Sequence, residues 1–350
     1  MSFLTELAIG PLLKRLALGV GLIALLSAVL LVSDLGHRKM ASASSTEHGG
    51  GDASGRIFKA AIVYYFRDVG TDMCVQGLID GLKASGLEEG RNLEVHRADA
   101  QAEMINIPAI VQNYDSSDVD LIMTITTPCL AGACNNVKHK PVVFTCVTDP
   151  IAAGAGKTQT DHLPFVTGVG SFPPVGHTLD LMQKLVPELA AVGVMYNPAE
   201  ANSVKELSVA RDVYRSRGVR LEEVAITGSS EVLQAVQILA GRKIQAVWVP
   251  GDNTAINGYE GAVKGAHDAH LPLVTDECSS IQRGGLACLG VTIHAAAFAS
   301  GRLAGRVLQG ANPKDLPFEE VAVEEMLISR SNAEQLGITI PAEYSQNIRP

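Results

Sequence analysis

The chain is poor in charge and poorer in aromatic residues. Asp, Glu, Lys and Arg make up 19% of its 350 residues, Phe, Trp and Tyr only 5%, and there is a single Trp. Basic residues are the scarcer sign, 28 Lys and Arg against 37 Asp and Glu, for a formal net charge of −9. Nucleic-acid binders carry a basic stripe, so that class is set aside and no nucleic-acid partner is expected. No G-x-G-x-x-G follows the first strand pattern, and no G-x-S-x-G or other nucleophile motif is present. Gly154-Ala155-Gly156-Lys157-Thr158 imitates a phosphate loop, but Ile151 stands where its leading glycine belongs and no helix pattern follows. A surface loop is expected there. His267 and His270 lie three apart with no third ligand near them in sequence, so a solvated face is expected in place of zinc. The chain is read as having no metal, no cofactor and no enzymatic activity.

What is present starts with one long apolar run. Hydrophobic residues reach 47%, and mean hydropathy is positive at +0.18. Residues 16–33 carry no charge and follow Lys14-Arg15. A spanning helix needs roughly 20 apolar residues and a signal-peptide core about 7–15, so residues 1–39 read as a membrane anchor. Met40-Ala41-Ser42-Ala43 resembles a cleavage site, which leaves removal of that segment open. Residues 40–56, rich in Ala, Ser and Gly, have linker composition. The remainder would lie outside the cytoplasmic membrane. Charges in residues 1–55 cancel, so the acidic excess belongs wholly to that exported part.

From residue 57 onward apolar runs of strand length alternate with helix-length periodic stretches. Strands are expected over 58–66, 93–97, 120–125 and 141–147, with helices over 72–85 and from 104. A second series places strands at 192–196, 220–226, 246–249 and 271–275, with helices at 203–217, 231–242 and 256–269. A last helix over 295–309 and a strand near 321–329 must join one series or the other. Continuous apolar strands alternating with helices indicate parallel sheets covered on both faces. Because the series occurs twice, the fold class is α/β with two doubly wound lobes. Trp248 falls inside a strand and reads as core.

In such sheets ligands bind beyond the carboxyl ends of the strands. Those places are polar here: Thr126-Thr127-Pro128, Thr148-Asp149-Pro150, Asn197-Pro198 with Glu200-Ala201-Asn202-Ser203, Gly251-Asp252-Asn253-Thr254, and Asp276-Glu277-Cys278-Ser279. Each could simply cap the helix that follows. Five such ends on two lobes point to a ligand cleft between them. Hydroxyls and backbone N–H groups at helix starts suit a carboxylate, and Asp149, Asp252 or Asp276 could take an ammonium.

These motifs, with Val166-Thr167-Gly168-Val169, Arg283-Gly284 and Leu289-Gly290, resemble ABC-transporter solute-binding proteins of the tryptophan/tyrosine-binding type, from about residue 57 to the end. The resemblance implies the two-lobed class I periplasmic-binding-protein fold, with three crossings between lobes. Lobe 1 would take 57–170 with about 288–312 returning to it, and lobe 2 would take 171–287 with about 313–350. It implies Thr126, Thr127, Thr148 and Asp149 on one wall of the cleft, and Asn197, Asn202, Ser203, Asp252, Asn253 and Asp276 on the other. It also implies a small polar solute, an amino acid or related zwitterion, with an ABC permease and its ATPase subunit as partners. The chain departs from the family after Leu-Gly, where an acidic residue and paired aromatics are common and Thr292-Ile293-His294 stand instead. Tyr65 and Phe66 remain as stacking surfaces. A membrane-tethered sensing module that signals to a partner protein is the alternative function.

Six cysteines are present. Cys278 and Cys288 flank a short loop and are the expected disulfide. Cys129 and Cys134 share one expected helix, point to different sides and make a poor pair, while Cys146, in an apolar strand, reads as a small buried hydrophobe.

Overall fold

The structure, a computed structural model, describes residues 55–350. The apolar run at 16–33 and nearly all of the linker lie outside the described residues. Among the described residues no helix is long and apolar enough to cross a membrane.

The first series opens with β1 (Phe58–Tyr64), buried at all but two positions. It continues through α1 (Val69–Ala84), β2 (Leu93–Asp99), α2 (Ile107–Ser116), β3 (Leu121–Ile125), α3 (Thr127–Asn136), β4 (Val142–Val147) and β5 (Val166–Gly170). The chain then crosses to the second series: α4 (Val175–Leu185), β6 (Ala191–Tyr196), α5 (Ala201–Ser216), β7 (Arg220–Ala225), α6 (Val232–Ala240), β8 (Ala246–Val249), α7 (Asn253–Asn257), α8 (Tyr259–Asp268), β9 (Leu273–Thr275) and β10 (Ala287–Val291). It returns with α9 (Ile293–Leu308) and β11 (Glu319–Glu320), and crosses a third time to β12 (Glu324–Ser329), α10 (Arg330–Leu336) and β13 (Ile348–Arg349).

One sheet has the order β11-β5-β4-β3-β1-β2 and the other β13-β12-β10-β9-β8-β6-β7. All neighbouring strands are parallel except β10 and β12. Stripped of their edges, β2-β1-β3-β4-β5 and β7-β6-β8-β9-β10 have the same order. Each reverses direction beside its first strand, and that is where an open α/β sheet leaves a crevice for a ligand.

Each sheet is buried on both faces, which is why its strands read as unbroken apolar runs. In the first lobe Leu78, Leu82, Ala297 and Leu303 cover one face, and Ile107, Val111 and Leu130 cover the other. In the second lobe Leu179, Met182, Leu207 and Tyr214 pack around Trp248, while Val236, Leu239 and Tyr259 pack behind them. Burying one such side chain stabilises by about 1.5–3 kcal/mol. Two glycines bring α9 back onto α1. A Cβ on Gly81 would sit 2.2 Å from the Phe298 carbonyl oxygen, and one on Gly301 would sit 2.3 Å from that of Leu78.

Several expectations need correction. Between the strands expected at 141–147 and 192–196 lies β5, which was not expected; its VTGVG sequence carries two glycines, yet every residue of it is buried. Helix α4 follows Pro173-Pro174 and has Gly176 in its first turn, a weak helical start whose buried face is set by packing. The helix expected over 256–269 is two helices, α7 and α8, with Gly258 between them. Ala287–Val291 pairs within the second sheet, so the return to lobe 1 comes at residue 292 and not near 288; Glu319–Glu320 pairs with β5, so the final crossing follows it. Cys146 is no inert hydrophobe. At the end of β4 its backbone takes φ 52° and its sulfur bonds Cys74, a partner 72 residues away that spacing could not suggest. Cys278 and Cys288 form the second disulfide, and Cys129 and Cys134 are free thiols.

Candidate functional site

The carboxyl ends of β1, β3, β4, β8, β9 and β10 converge on a cavity of about 120 Å³ between the lobes. From the first lobe it is lined by Phe66, Asp68, Gly70, Thr71, Thr126, Thr127, Thr148 and the Cys74–Cys146 disulfide. From the second it is lined by Asn202, Gly251, Asp252, Asn253, Asp276 and Glu277. Among the described residues its lining includes four carboxylates and no Lys, Arg or His.

The first wall is built from donors. Thr126 precedes α3 at φ 79°, a left-handed conformation that costs a β-branched residue about 1–3 kcal/mol and tends to be held only at binding sites. The Thr126 hydroxyl is enclosed with no hydrogen-bond partner among the described residues. Beside it the Thr127 hydroxyl accepts from the Thr148 amide at 3.4 Å, and α3 begins there, a setting that favours an anion. Asp68 caps α1, its Oδ1 accepting from the Thr71 amide at 2.7 Å.

The second wall is built from acceptors. Asp252, fully buried, accepts from the Asn197 amide at 2.6 Å, the Ser203 hydroxyl at 2.5 Å and the Ala255 amide at 2.8 Å. Burial, with the Glu200 charge nearby, pushes its carboxyl up to about 7. Asp276 accepts from Thr178 at 3.0 Å and from the indole of Trp248 at 3.1 Å, and burial raises it to about 6. Glu277 accepts from the Ser279 hydroxyl at 2.8 Å; burial raises it to about 7, and Asp68 across the cavity adds to the shift. Behind them Glu206, which accepts from the Gly251 amide at 3.1 Å, is held well above the carboxylate range by burial and by Asp276.

Of the ten expected site residues, Thr126, Thr127, Thr148, Asn202, Asp252, Asn253 and Asp276 line the cavity. Asp149, Asn197 and Ser203 do not. Asp149 turns its carboxylate to the amides of Ile151 and Ala152 and to Lys205 of α5 at 3.4 Å, an ion pair that spans the two lobes. Asn197 and Ser203 stand behind Asp252 and hold it. Asp149 thus closes the turn that follows β4, where no helix begins before β5. For Asp252 both readings hold, since it caps α7 and lines the cavity. Asp68, Thr71 and Glu277 were missed, though each lies at a strand's carboxyl end or one turn beyond, where the search rule points. Phe66 is the one aromatic residue in the lining; Tyr65 is buried behind it with its hydroxyl on the Ala102 carbonyl. His267, which meets Gln335, and His270 sit on α8 and just beyond it, in a groove apart from this cavity. Among the described residues no group of three or more His, Cys, Asp or Glu could hold a metal.

Comparison with known proteins agrees with this geometry. A family model described as ABC transporter substrate binding protein matches residues 59–348. The tyrosine-binding protein of Clostridioides difficile is 31% identical over 265 residues, 76% of each chain. The ABC domain from Streptococcus pneumonia solved in complex with L-Trp superposes with a TM-score of 0.80 at 25% identity, covering 84% of this chain and all of that one. The ligand-free, open form of a Clostridium difficile substrate-binding protein with adhesive properties superposes with a TM-score of 0.64 at 28% identity, covering 83% and 98%.

Proposed function

Because the chain belongs to the ABC transporter substrate-binding protein family, whose members bind and do not catalyse, we propose that it captures a small zwitterion, an amino acid or close relative, for uptake. One observation carries this reading: the cavity sets the unpartnered Thr126 hydroxyl and the start of α3 opposite the carboxylates of the second lobe. A carboxylate is drawn to the first wall and an ammonium to the second. The tyrosine and tryptophan in the names of the relatives fit that class.

The ligand is held by closure of the two lobes. Support comes from the better superposition on the L-Trp complex than on the open form, despite lower identity to the former, and from the Asp149–Lys205 pair across the cleft. A cavity of about 120 Å³ is close to the roughly 150 Å³ that admits a benzene molecule, which favours smaller amino acids over tryptophan. In this reading residues 16–33 anchor the protein, the binding lobes face away from the cytoplasm, and a permease with its ATPase receives the solute.

Thermal-shift measurement on the purified full chain with the common amino acids, sugars and polyols tests this. An amino acid at a hundredfold excess over its Kd should stabilise by about 2.7 kcal/mol. Thr126→Val should weaken that binding about tenfold with Tm unchanged, because its hydroxyl has no partner inside the protein. A Tm response to sugars or polyols alone would falsify the reading.

A further inference from the structure

We propose that Asp68 and Glu277, one from each lobe, form a two-carboxylate clamp for a primary ammonium group, making the ligand's amine the feature that draws the lobes together. The clamp rests on the zwitterion reading of the cavity and deepens it.

The four lining carboxylates are not equivalent. Both oxygens of Asp252 and both of Asp276 are engaged by protein donors inside the second lobe. Those two are walls, with no oxygen to spare. Asp68 and Glu277 each give one oxygen to the backbone or hydroxyl beside them, Asp68 Oδ1 to Thr71 and Glu277 Oε1 to Ser279. Asp68 Oδ2 and Glu277 Oε2 receive no hydrogen bond from any described residue.

Gly70 brings the two together. A Cβ at Gly70 would lie 3.5 Å from Asp68 Oδ1 and 3.6 Å from the Glu277 carboxyl carbon, with Ser279 Oγ at 3.1 Å. Asp68 Oδ1 and the Glu277 carboxyl carbon are thus separated by no more than about twice the larger value, beside a Gly70 backbone that carries no side chain. Two carboxylates at that spacing repel. The cations nearby are committed elsewhere: Arg67 pairs with Asp72 at 3.1 Å, and Arg283 is forked onto Glu260 at 2.8 Å through two nitrogens. Glu325 on β12 adds a further negative charge near Glu277.

A second observation points to a donor from outside. Asn202, 1% exposed, lines the same cavity and spends its amide N–H groups on the Gly251 carbonyl and on Glu200, which leaves its Oδ1 without a partner. An ammonium carries three N–H donors. Asp68 and Glu277 offer free oxygens to such donors, and Asn202 adds an unpartnered acceptor to the same lining.

The test compares L-alanine, L-leucine and L-tyrosine with their N-acetyl derivatives, by thermal shift and calorimetry on the full chain, Asp68→Asn and Glu277→Gln. The clamp predicts that a free amino acid raises Tm and its N-acetyl form does not. Each variant should weaken binding about tenfold, and its ligand-free Tm should match or exceed the parent's because a repelling charge is gone. Equal binding of the N-acetyl form, or full affinity in both variants, overturns the clamp. If a variant fails to fold, the N-acetyl comparison on the parent decides. If none of these compounds binds, the zwitterion reading fails for this panel, and methylammonium chloride against sodium chloride tests the clamp by itself. A Tm rise in the parent that Glu277→Gln loses supports it, and no rise overturns it.

Discussion

Asp68 apart, the first lobe meets the cavity with hydroxyls and the start of α3, whereas the second, Glu277 apart, meets it with carboxylates that the protein has already bound. Yet the central five strands of the two sheets have the same order and offer the same strand ends. Topology thus decides where a site can be, and the few residues after each strand decide which end of a ligand it takes. Thr126 is left unsatisfied on one side, while Asp252 is satisfied three times over on the other. A wall with spare bonding capacity is built to change partners, and a saturated wall is built to stay.

The disulfides offer the largest lever on that contrast. Cys74–Cys146 closes 72 residues in the first lobe and Cys278–Cys288 closes 10 in the second. Chain-entropy reasoning gives about 4 kcal/mol for the first and about 3 kcal/mol for the second. Replacing both cysteines of each pair by serine, with urea titration of each variant, should rank them in that order; the reverse order would show the second lobe to be the more dependent on its staple. Asp252→Ala should come next. It strands three donors in the core, at a cost of about 3 kcal/mol, and circular dichroism should show Tm lower by roughly 6–12 °C. An unchanged Tm would move Asp252 from the saturated wall to the adaptable one.

A smaller effect follows from pH. Asp252, Asp276 and Glu277 titrate at about 7, 6 and 7 in the folded chain, above their ordinary range near 4. Between those limits the folded form holds protons that the unfolded form has released. The stability they contribute is therefore complete below the ordinary range and is lost as pH rises through 6 to 7. The ligand-free Tm should fall by several degrees from about pH 5 to pH 8, a trend that scanning calorimetry reads directly. A flat profile would mean the second wall is not charged as described. The smallest effect belongs to the pair across the cleft. Lys205→Ala should cost about 0.5 kcal/mol, read in stopped flow as about twofold faster ligand release at low salt, and the difference should vanish at high salt.

Much of this molecule could be read along the chain. The strands with unbroken apolar runs, such as 120–125 and 246–249, announce themselves because burial on both faces removes any polar alternation. β5 and α4 stayed hidden, since glycines and a Pro-Pro entry weaken local signals that tertiary packing overrides. Seven of the ten expected site residues reach the cavity, because each follows a strand. Asp149 does not, because a residue after a strand can turn to the amides of its own loop as easily as to the cleft.

By itself, then, the sequence determined the scarcity of basic charge, the doubled α/β pattern and the polar strand ends, since these follow from composition and period. Only the tertiary structure decided which acids are spent and which are spare. It joined Cys74 to Cys146, placed Lys205 on Asp149, and set Glu277 opposite Asp68 over a glycine. Such pairings depend on distances across the fold between residues far apart in the chain, and no local pattern records them.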